Sequence, residues 1–335
     1  MTRIAINGFG RIGRAAAKII LDRDDLELVA VNDLTDPKTL LFLLRHDSIY
    51  GIFDKQMSIS DKEIKIADKR IHFFSEKEPV KLPWQALGID VVIESTGVFL
   101  TSTECQEHLK AGARKVVISA PAKDEETPTY LIGVNADKYQ GEEIISNASC
   151  TTNCIAPMIK VLDDNFGIRQ AFLTTVHSYT ADQNLVDGPH KDLRRARGAA
   201  VNIVPTTTGA AKTVTKIVTK LEKKFDGLAI RVPTPVVSLS DIVAVLERPT
   251  TLEAINQAFE KAADGELKDI LAVSGEPLVS TDLIGNTASA IIDLSLTNLI
   301  GGNLVKVIAW YDNEWGYSMR LVEMAKMVGK SQISN

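Results

Sequence analysis

The chain has 335 residues, of which 45% are hydrophobic and 24% charged, and its formal net charge is −5 at pH 7. This length favours two domains of ordinary globular composition, and the negative charge argues against nucleic acid or an anionic membrane as the main partner. No segment approaches the ~20 consecutive apolar residues of a membrane-spanning helix, and the N-terminal stretch MTRIAINGFGRIG lacks the apolar region of a signal peptide. The three cysteines cannot form a complete disulfide framework, so we expect a reducing, cytoplasmic compartment.

The first 33 residues contain the elements of a dinucleotide-binding site in the expected order. They are a strand (Thr2–Asn7), three glycines spaced G-x-G-x-x-G (Gly8, Gly10 and Gly13), a helix (Arg14–Asp22) and a second strand (Leu26–Asn32). The glycines would allow a tight turn and a close approach of the backbone to a pyrophosphate at the helix N-terminus. Asp33 follows the second strand and is placed to accept hydrogen bonds from both ribose hydroxyls, which favours NAD over NADP. The alternative is a structural glycine turn followed by an exposed loop acid.

Two more segments, Ile89–Ser95 and Lys115–Ser119, are apolar and β-branched, as the central strands of a parallel sheet are. Ligands bind at the carboxyl ends of such strands, so Thr96, Gly97 and Ser119 are candidate neighbours of the cofactor. Ordinary strand-to-loop turns explain these residues equally well.

The stretch SNASCTTNC places two of the three cysteines four residues apart, a spacing unlike that of a redox pair or a zinc site. A short strand (Glu143–Asn147) begins before it, and Ser149 is a predicted N-cap for a helix that ends at Gly167. Cys150 would then lie in the first helical turn, where backbone N–H groups and the helix dipole lower the pKa of a thiol. We predict that Cys150 is a nucleophile and that Cys154, one turn later, is a buried residue.

A nucleophilic cysteine needs a base, and His177 follows a predicted strand (Ala171–Val176) that would deliver it to a cleft. The other histidines have no such setting: His46, His72 and His108 are expected on the surface, and His190 lies in a polar loop. Cys105 is expected to be structural, in a surface helix, and Pro157 is expected to disturb the helix that Cys150 begins.

Cationic and hydroxyl side chains cluster after His177. The segment HKDLRRARGAA contains Lys191, Arg194, Arg195 and Arg197, PTTTG (205–209) supplies hydroxyls, and Arg231 ends the strand LAIR. Arginine with threonine and glycine is typical of small-phosphate recognition, whereas the acidic chain and the lack of interleaved aromatic residues disfavour nucleic acid. A solvated or subunit-contact loop is the alternative for the basic segment.

These motifs together resemble a known family. SNASCTTNC, the strand delivering His177 with SYT after it, HKDLRRAR, PTTTGAAK, RVPTP and WYDNEWGYS are similar to phosphorylating glyceraldehyde-3-phosphate dehydrogenases. The resemblance extends from NGFGRIG to the final helix and covers nearly the whole chain.

The resemblance implies oxidative phosphorylation of glyceraldehyde 3-phosphate to 1,3-bisphosphoglycerate with NAD and inorganic phosphate. Cys150 would attack the aldehyde carbon to form a hemithioacetal, and His177 would take up the proton as hydride leaves for NAD. The backbone N–H of Cys150 and the His177 side chain would stabilise the oxyanion, and phosphate would cleave the resulting thioester.

The resemblance also implies which residues bind substrate and cofactor. Those for the two phosphate groups are Thr180, Arg231 and Arg195 (substrate phosphate) and Ser149, Thr151, Thr208 and Gly209 (attacking phosphate). For the cofactor they are Arg11 and Ile12 at the pyrophosphate, Asn313 at the nicotinamide amide, and Lys77 and Ser119 at further positions.

The implied fold is α/β, with an N-terminal Rossmann domain (1–149) and an α+β catalytic domain (150–314) built on a mixed sheet. Strands of the second sheet are predicted in Leu228–Leu246, Ala288–Leu296 and Leu304–Ala309. The C-terminal helix, Trp315–Val328 within residues 315–335, would pack back on the first domain. We expect a homotetramer in which a loop of about residues 178–201 reaches towards a neighbour's cofactor.

Three positions depart from the residues usual in the family. Gly188 stands where NAD-dependent members have leucine near the adenosine ribose, Val236 where asparagine is common, and Lys77 where arginine is frequent.

The alternatives within the class are an erythrose-4-phosphate dehydrogenase, which SYT and TTTG disfavour, and an NADP-using gluconeogenic relative, which Asp33 disfavours. The alternatives from other classes are a cysteine–histidine hydrolase that needs no cofactor and an NAD-sensing or RNA-binding role.

Overall fold

The computed structural model describes residues 1–60 and 63–330, and these form two compact units. The first consists of residues 1–148 and the chain from Ser318 on, and the second of Ser149–Tyr317. Of the predicted C-terminal helix, residues 331–335 lie outside the described residues.

The first unit is built on a doubly wound sheet. Its elements are β1 (Thr2–Asn7), α1 (Arg11–Leu21), β2 (Leu26–Asn32), α2 (Pro37–Arg45), β3 (His46–Asp47), β4 (Gly51–Ile52), β5 (Met57–Ser60), β6 (Glu63–Ile66), β7 (Lys69–Phe74), β8 (Val91–Glu94), α3 (Ser102–Lys110), β9 (Lys115–Ile118) and β10 (Ile144–Ser146). The sheet has the order β10-β9-β8-β1-β2-β7-β6-β5, parallel from β10 to β7 and antiparallel at β6 and β5. The chain moves outward from β1 in both directions, so the carboxyl ends of β1 and β8 flank a topological switch point, where doubly wound folds bind ligands.

The two strands predicted around the glycine turn are confirmed at the same bounds, as β1 and β2. The helix between them begins three residues earlier than predicted, at Arg11. Gly13 therefore lies inside α1, and a Cβ at this position would lie 2.1 Å from the backbone oxygen of Gly8. The helix start packs directly against the turn, and only glycine permits that approach.

The prediction that His108 lies on the surface is wrong. It has no exposed area and stacks against Trp84, with 6.4 Å between the ring centroids. Cys105, on the same helix, is also fully buried, in a core cluster with Val92 and Val116. One face of α3 therefore covers the sheet although most of its residues are polar. His46 is exposed, as predicted.

The second unit is built on a mixed sheet against which its first helix packs. Its elements are α4 (Cys150–Phe166), β11 (Ile168–Ser178), β12 (Val204–Thr207), α5 (Ala210–Ile217), β13 (Phe225–Val232), β14 (Ser238–Leu246), α6 (Leu252–Asp264), β15 (Leu271–Ser274), β16 (Ala290–Asp293), β17 (Asn298–Ile300) and β18 (Leu304–Tyr311). The sheet order is β12-β13-β11-β14-β18-β16-β15, and β17 also pairs with β18. The pairs β11–β13 and β15–β16 are parallel and the others antiparallel, which confirms the predicted mixed sheet.

Several element boundaries in the second unit differ from the predictions. The segment Leu228–Leu246 is divided into β13 and β14, because residues 233–237 form a turn. The last helix, α7 (Trp315–Lys330), begins in the second unit and belongs to the first from Ser318 on, where Gly329 lies against Thr2.

Candidate active site

Cys150 is the first residue of α4, and the cap of this helix fixes its position. Ser149 Oγ accepts a hydrogen bond from the backbone N–H of Thr152 at 3.1 Å, which confirms the predicted N-cap. The helix continues through the buried Pro157, so this residue does not divide it. Cys154, one turn after Cys150, has no exposed surface and is a buried residue as predicted.

His177 lies at the end of β11 and contacts Cys150 directly. Its Nε2 is 3.4 Å from Cys150 Sγ, and its Nδ1 is 2.7 Å from the backbone oxygen of Ser178. A carbonyl can only accept a hydrogen bond, so Nδ1 carries the proton and the Nε2 lone pair faces the thiol. Burial, together with the nearby charge of Arg231, lowers the pKa of His177 to about 3, which keeps the ring neutral and able to accept a proton.

The thiol of Cys150 is also held in its neutral form. Burial raises its pKa and outweighs both the positive charge of Arg231 and the hydrogen bonds from Thr151, which act in the opposite direction. The backbone N–H groups of Cys150 and Thr151 at the helix start do lower the pKa of the thiol, as predicted, but burial raises it by more, so the net shift is opposite to the predicted one. Cys150 and His177 face each other as a neutral thiol and a neutral imidazole, so the thiol proton moves to Nε2 as the sulfur attacks.

Tyr311, which the sequence alone did not single out, links the two elements that carry this pair. Its hydroxyl lies 2.9 Å from the Oγ1 atoms of both Thr151 on α4 and Thr175 on β11. Its ring packs edge-on against His177, with 6.0 Å between the centroids. Burial raises the pKa of Tyr311 far above its usual range, so the hydroxyl stays protonated. The motif WYDNEWGYS is the sequence feature that could have indicated Tyr311 as a residue of the site, because Tyr311 lies in this motif and ends β18.

Arg231 and Thr180, two of the residues predicted to bind the substrate phosphate, are joined by a hydrogen bond. Arg231 lies opposite His177 in the parallel pairing of β13 with β11, so the sheet register brings its guanidinium to the site. Its Nη1 donates to Thr180 Oγ1 and to Ser178 O, each at 3.1 Å. The positive charge of Arg231 acts to lower the pKa of Cys150 and that of His177. The thiol, the imidazole and the Arg231–Thr180 pair therefore share one electrostatic environment.

Arg195, Thr208 and Gly209, which are also predicted to bind phosphate, form hydrogen bonds with neighbouring segments. Arg195 Nε donates to Thr206 Oγ1 at 3.0 Å and its Nη1 pairs with Asp182, although its charge still acts on the imidazole. Thr208 and Gly209 precede α5, with Gly209 as the N-cap. Within residues 1–60 and 63–330, no hydrogen bond links Thr208 or Gly209 to the thiol–imidazole pair.

The structure also gives the positions of Asn313 and of Gly188 and Val236, the two residues of the second unit that depart from those usual in the family. Asn313 is 6% exposed, and its Oδ1 accepts a hydrogen bond from Ser238 Oγ at 2.9 Å. Val236 is buried within the turn that joins β13 to β14. The backbone oxygen of Gly188 accepts a hydrogen bond from Asn184 Nδ2 at 2.6 Å.

A cleft of about 660 Å³ lies in the first unit, at the carboxyl ends of β1, β2 and β8, and has the size of a ligand pocket. The predicted cofactor residues in its wall are Gly8, Gly10, Asp33, Lys77 and Thr96. Further wall residues, which the sequence did not indicate, include Glu76, Pro79 and Phe99. In the part of the chain that the structure describes, the wall does not include Arg11, Ile12, Gly13, Gly97 or Ser119.

The glycine turn fits a bound pyrophosphate. Gly8 has a φ of 93°, and a Cβ on it would lie 2.5 Å from the backbone N of Thr96, so the turn requires glycine. Gly10 is the N-cap of α1, and no described atom lies within 4 Å of the position that its Cβ would take. The N-terminus of α1 thus faces open space, which suits an anion. The Arg11 side chain pairs with Asp47 at 3.2 Å, so its backbone rather than its guanidinium would serve such a ligand.

Asp33 has a structural contact that the spacing did not reveal. Its Oδ2 accepts a hydrogen bond from the backbone N–H of Phe9 at 2.7 Å, and its Oδ1 accepts one from Thr35 N at 2.9 Å. The carboxylate therefore anchors the glycine turn to the end of β2 while it lines the cleft.

Two family models match the chain, one for each unit. Residues 2–102 match the NAD binding domain of glyceraldehyde 3-phosphate dehydrogenase, and residues 149–313 match its C-terminal domain. The chain belongs to the glyceraldehyde-3-phosphate dehydrogenase family. The predicted family, fold class, NAD cofactor and NAD-dependent dehydrogenase activity are thereby confirmed.

Curated relatives match over nearly their full length. The chain is 52% identical over 328 residues to a glyceraldehyde-3-phosphate dehydrogenase of Geobacillus stearothermophilus, covering 97% of this chain and 98% of the relative. It is 51% identical over 331 residues to one of Streptomyces coelicolor, covering 98% of each chain. It is 51% identical over 330 residues to glyceraldehyde-3-phosphate dehydrogenase 1 of Bacillus subtilis, again covering 98% of each.

Among the described residues, no helix combines the length and the apolar character needed to cross a membrane.

Proposed function

We propose that the enzyme oxidises and phosphorylates glyceraldehyde 3-phosphate, with NAD and inorganic phosphate as co-substrates and 1,3-bisphosphoglycerate as the product. One observation carries the assignment of the chemistry: the 3.4 Å contact between Cys150 Sγ and His177 Nε2, with the His177 tautomer fixed by Ser178 O. A thiol beside a neutral imidazole of this tautomer is a nucleophile with its base in place. The membership of the dehydrogenase family supports the same choice over a hydrolase.

In the first half of the reaction, Cys150 Sγ forms a bond to the aldehyde carbon and the thiol proton passes to the new hydroxyl, giving a hemithioacetal. His177 Nε2 then takes the hydroxyl proton as the C1 hydride departs, and a thioester remains on Cys150. The start of α4, with the backbone N–H of Cys150, supports the developing oxyanion together with the His177 side chain. NAD, when bound, would supply the acceptor for this hydride.

In the second half, an oxygen of inorganic phosphate attacks the thioester carbon and the C–S bond breaks. The departing sulfur of Cys150 takes the proton held on His177 Nε2, so both residues return to their neutral forms. We assign the substrate phosphate to Arg231 and Thr180, with Arg195 nearby, because Arg231 already presents its guanidinium to the Thr180 hydroxyl.

The assignment of the attacking phosphate to Ser149, Thr151, Thr208 and Gly209 rests on the family resemblance. Two of these side chains already have partners, since Ser149 Oγ lies 2.8 Å from Thr152 Oγ1 and Thr151 Oγ1 contacts Tyr311. Gly209 is supported by its place at the N-terminus of α5, where backbone N–H groups suit an anion.

The first unit would hold the cofactor. We assign the pyrophosphate to the turn at Gly8 and Gly10 and to the backbone of Arg11 and Ile12, because the start of α1 faces open space. Asp33 would bind the adenosine ribose and repel a 2′-phosphate. The remaining cofactor residues, by resemblance, are Gly13, Lys77, Thr96, Gly97, Ser119 and, for the nicotinamide amide, Asn313.

The test is the formation of reduced cofactor by the purified protein with glyceraldehyde 3-phosphate and NAD, with and without inorganic phosphate. Sustained turnover only with phosphate is expected, and Cys150→Ala should abolish it. Equal rates without phosphate would mean that water accepts the acyl group and would remove the attacking-phosphate site from the proposal. Preference for NADP would refute the role of Asp33.

We further propose that the protein is a cytoplasmic homotetramer. Large apolar side chains of the segment 185–203 are 70–82% exposed, namely Leu185, Val186, Leu193, Val201 and Ile203, and burial of such a segment between copies would be favourable. The three cysteines are free, as expected in a reducing compartment. Sedimentation of the wild type and of Leu193→Asp tests this assembly, since a monomer in both cases would refute it.

A further inference from the structure

Ser238 joins two parts of the candidate active site. Its Oγ lies 3.1 Å from the backbone nitrogen of Ser178, which follows His177 on β11, and 2.9 Å from Oδ1 of Asn313, which follows β18. Ser238, Ser178 and Asn313 are 2%, 0% and 6% exposed, so these hydrogen bonds are removed from water. A buried serine therefore connects the strand of the base to the amide assigned to the nicotinamide.

The direction of both hydrogen bonds can be derived. A backbone N–H can only donate, so Ser238 Oγ accepts from Ser178 and keeps its own proton for Asn313 Oδ1. If the Asn313 amide were rotated by half a turn, its nitrogen would face Ser238 and the buried hydroxyl proton would lose its acceptor, which is unfavourable. Ser238 thus fixes the orientation of the amide, with Oδ1 towards β14 and Nδ2 away from it.

The Asn313 amide nitrogen remains available in this orientation. Within residues 1–60 and 63–330, the amide makes one hydrogen bond, and that bond uses its oxygen. An N–H donor held in place in a mostly buried position is suited to the carbonyl oxygen of a ligand amide.

Ser178, the other partner of Ser238, has all of its polar groups engaged. Its carbonyl accepts from His177 Nδ1 at 2.7 Å and from Arg231 Nη1 at 3.1 Å, and its hydroxyl donates to the carbonyl of Val237 at 2.8 Å. Val237 has a φ of 66°, a left-handed conformation that a β-branched residue adopts only when its surroundings impose it. The turn before Ser238 is therefore held in a defined geometry, and so is the serine itself.

We propose that Ser238 is a positioning residue that orients the Asn313 amide so that Nδ2 donates to the carboxamide oxygen of the nicotinamide. The inference rests on the proposed function, in which Asn313 binds that carboxamide. A nicotinamide ring turned by half a rotation presents its other face and places its carboxamide oxygen elsewhere, so a fixed donor selects one face. Ser238 then determines the stereochemistry of hydride transfer without touching substrate or cofactor.

The experiment compares Ser238→Ala, Ser238→Thr and the wild-type enzyme, with Ser240→Ala as the matched control. Ser240 lies on the same face of β14 and is fully buried, and within residues 1–60 and 63–330 no hydrogen bond joins its hydroxyl to Asn313. Each protein is supplied with glyceraldehyde 3-phosphate deuterated at C1, and the position of deuterium at C4 of the reduced nicotinamide is read by proton NMR. The NAD affinity of each is measured separately by titration of protein fluorescence.

The wild type and Ser240→Ala should place deuterium in a single C4 position, whereas Ser238→Ala should place a measurable share in the other. The affinity of Ser238→Ala for NAD should fall about 3- to 10-fold, the change expected for one lost hydrogen bond. Ser238→Thr keeps the hydroxyl and should restore the stereochemistry. Since the stereochemical ratio does not depend on the fraction of protein that is folded, a loss of stability alone cannot produce this result.

A second measurement tests whether Ser238 acts through Asn313. In an Asn313→Ala background, Ser238→Ala should cause no further change in NAD affinity, because the residue it orients is already absent. Wild-type stereochemistry and NAD affinity in Ser238→Ala would overturn the proposal, as would equal effects of Ser238→Ala and Ser240→Ala. Absence of turnover in the wild type would instead refute the proposed function, and the affinity comparison would still decide the role of Ser238.

Discussion

His108 Nε2 donates a hydrogen bond to Glu94 Oε2 across 3.1 Å, and both side chains are fully buried in the first unit. The direction follows from Trp84, whose Nε1–H donates to His108 Nδ1 at 3.0 Å, so the ring proton is on Nε2. Asn7 Nδ2 donates to the same carboxylate oxygen at 2.6 Å, and Thr96 N donates to the other at 2.8 Å. Glu94 therefore joins the ends of β1 and β8, where Asn7 and Thr96 line the cleft of the first unit.

Replacement of Glu94 by glutamine should destabilise the protein and weaken NAD binding. The Glu94 carboxylate accepts hydrogen bonds on both of its oxygens. A glutamine amide has only one acceptor oxygen, and its NH₂ group would face N–H groups that can only donate. We expect a loss of about 3 kcal/mol in the free energy of unfolding, because buried donors are left without acceptors. Urea unfolding followed by circular dichroism, with and without NAD, measures this loss.

Glu27→Gln is the matched control for that substitution. Glu27 pairs with Arg3, but both side chains are 40% exposed, so the change should be below about 1 kcal/mol. Equal stabilities of Glu94→Gln and Glu27→Gln would contradict the organising role of the buried carboxylate.

The burial of His108 could not be predicted from its own segment. The sequence STECQEHLK is polar on most faces, and the partners of His108 lie 14 and 24 residues away, at Glu94 and Trp84. A hydrophobic pattern cannot reveal a histidine that is buried because its hydrogen bonds are satisfied. The same limit applies to Ser238, whose partner Asn313 is 75 residues later in the chain.

Features decided by local chemistry were predictable. The glycine spacing identified the turn after β1, and Ser149 identified the start of α4, because a cap and a tight turn depend on a few neighbouring residues. The pKa of Cys150 was not predictable in this way. It depends on burial and on Arg231, which only the pairing of β13 with β11 brings to the site.

Cofactor choice should depend on the charge of Asp33. In Asp33→Asn the side chain keeps an oxygen for Phe9 N but loses the negative charge that repels a 2′-phosphate. The preference for NAD over NADP, as the ratio of kcat/KM values, should fall about tenfold or more, since charges about 4 Å apart interact by about 1–4 kcal/mol between bulk water and a protein surface. Asp36→Asn is the control, because Asp36 is exposed and caps α2 through Thr39 N at 3.1 Å. An unchanged ratio in Asp33→Asn would show that the carboxylate does not face the ribose.

The reactivity of Cys150 should depend on Arg231. The guanidinium charge lowers the pKa of the thiol against the larger effect of burial, so Arg231→Met should raise that pKa further. Alkylation by iodoacetamide at fixed pH should then slow roughly tenfold, and Arg231→Lys should recover part of the rate. Mass spectrometry assigns the alkylated residue and should find Cys154 unmodified, because it has no exposed surface. A faster reaction in Arg231→Met would show that the charge does not act on the thiol.

The neutral state of His177 should make the protein less stable in acid. Its pKa is about 3 in the folded protein against an ordinary value of 6.5, so between these values the unfolded chain binds a proton that the folded protein does not. The stabilising contribution is therefore complete above pH 6.5 and is lost as the pH falls towards 3, by up to about 1.4 kcal/mol per pH unit. His177→Asn keeps a donor for Ser178 O but cannot take up a proton, so this part of the acid dependence should disappear.

The measurement is the difference in unfolding free energy between the wild type and His177→Asn at a series of pH values and one protein concentration. Other titrating groups contribute equally to the unfolding free energies of both proteins, so their contributions cancel in the difference. A loss of packing in the variant changes the difference by the same amount at every pH. The wild type should lose stability relative to the variant as the pH is lowered from 6.5 to about 4. A pH-independent difference for His177→Asn would mean that folding does not lower the pKa of His177, and the surroundings of the imidazole would then not be what keeps it neutral.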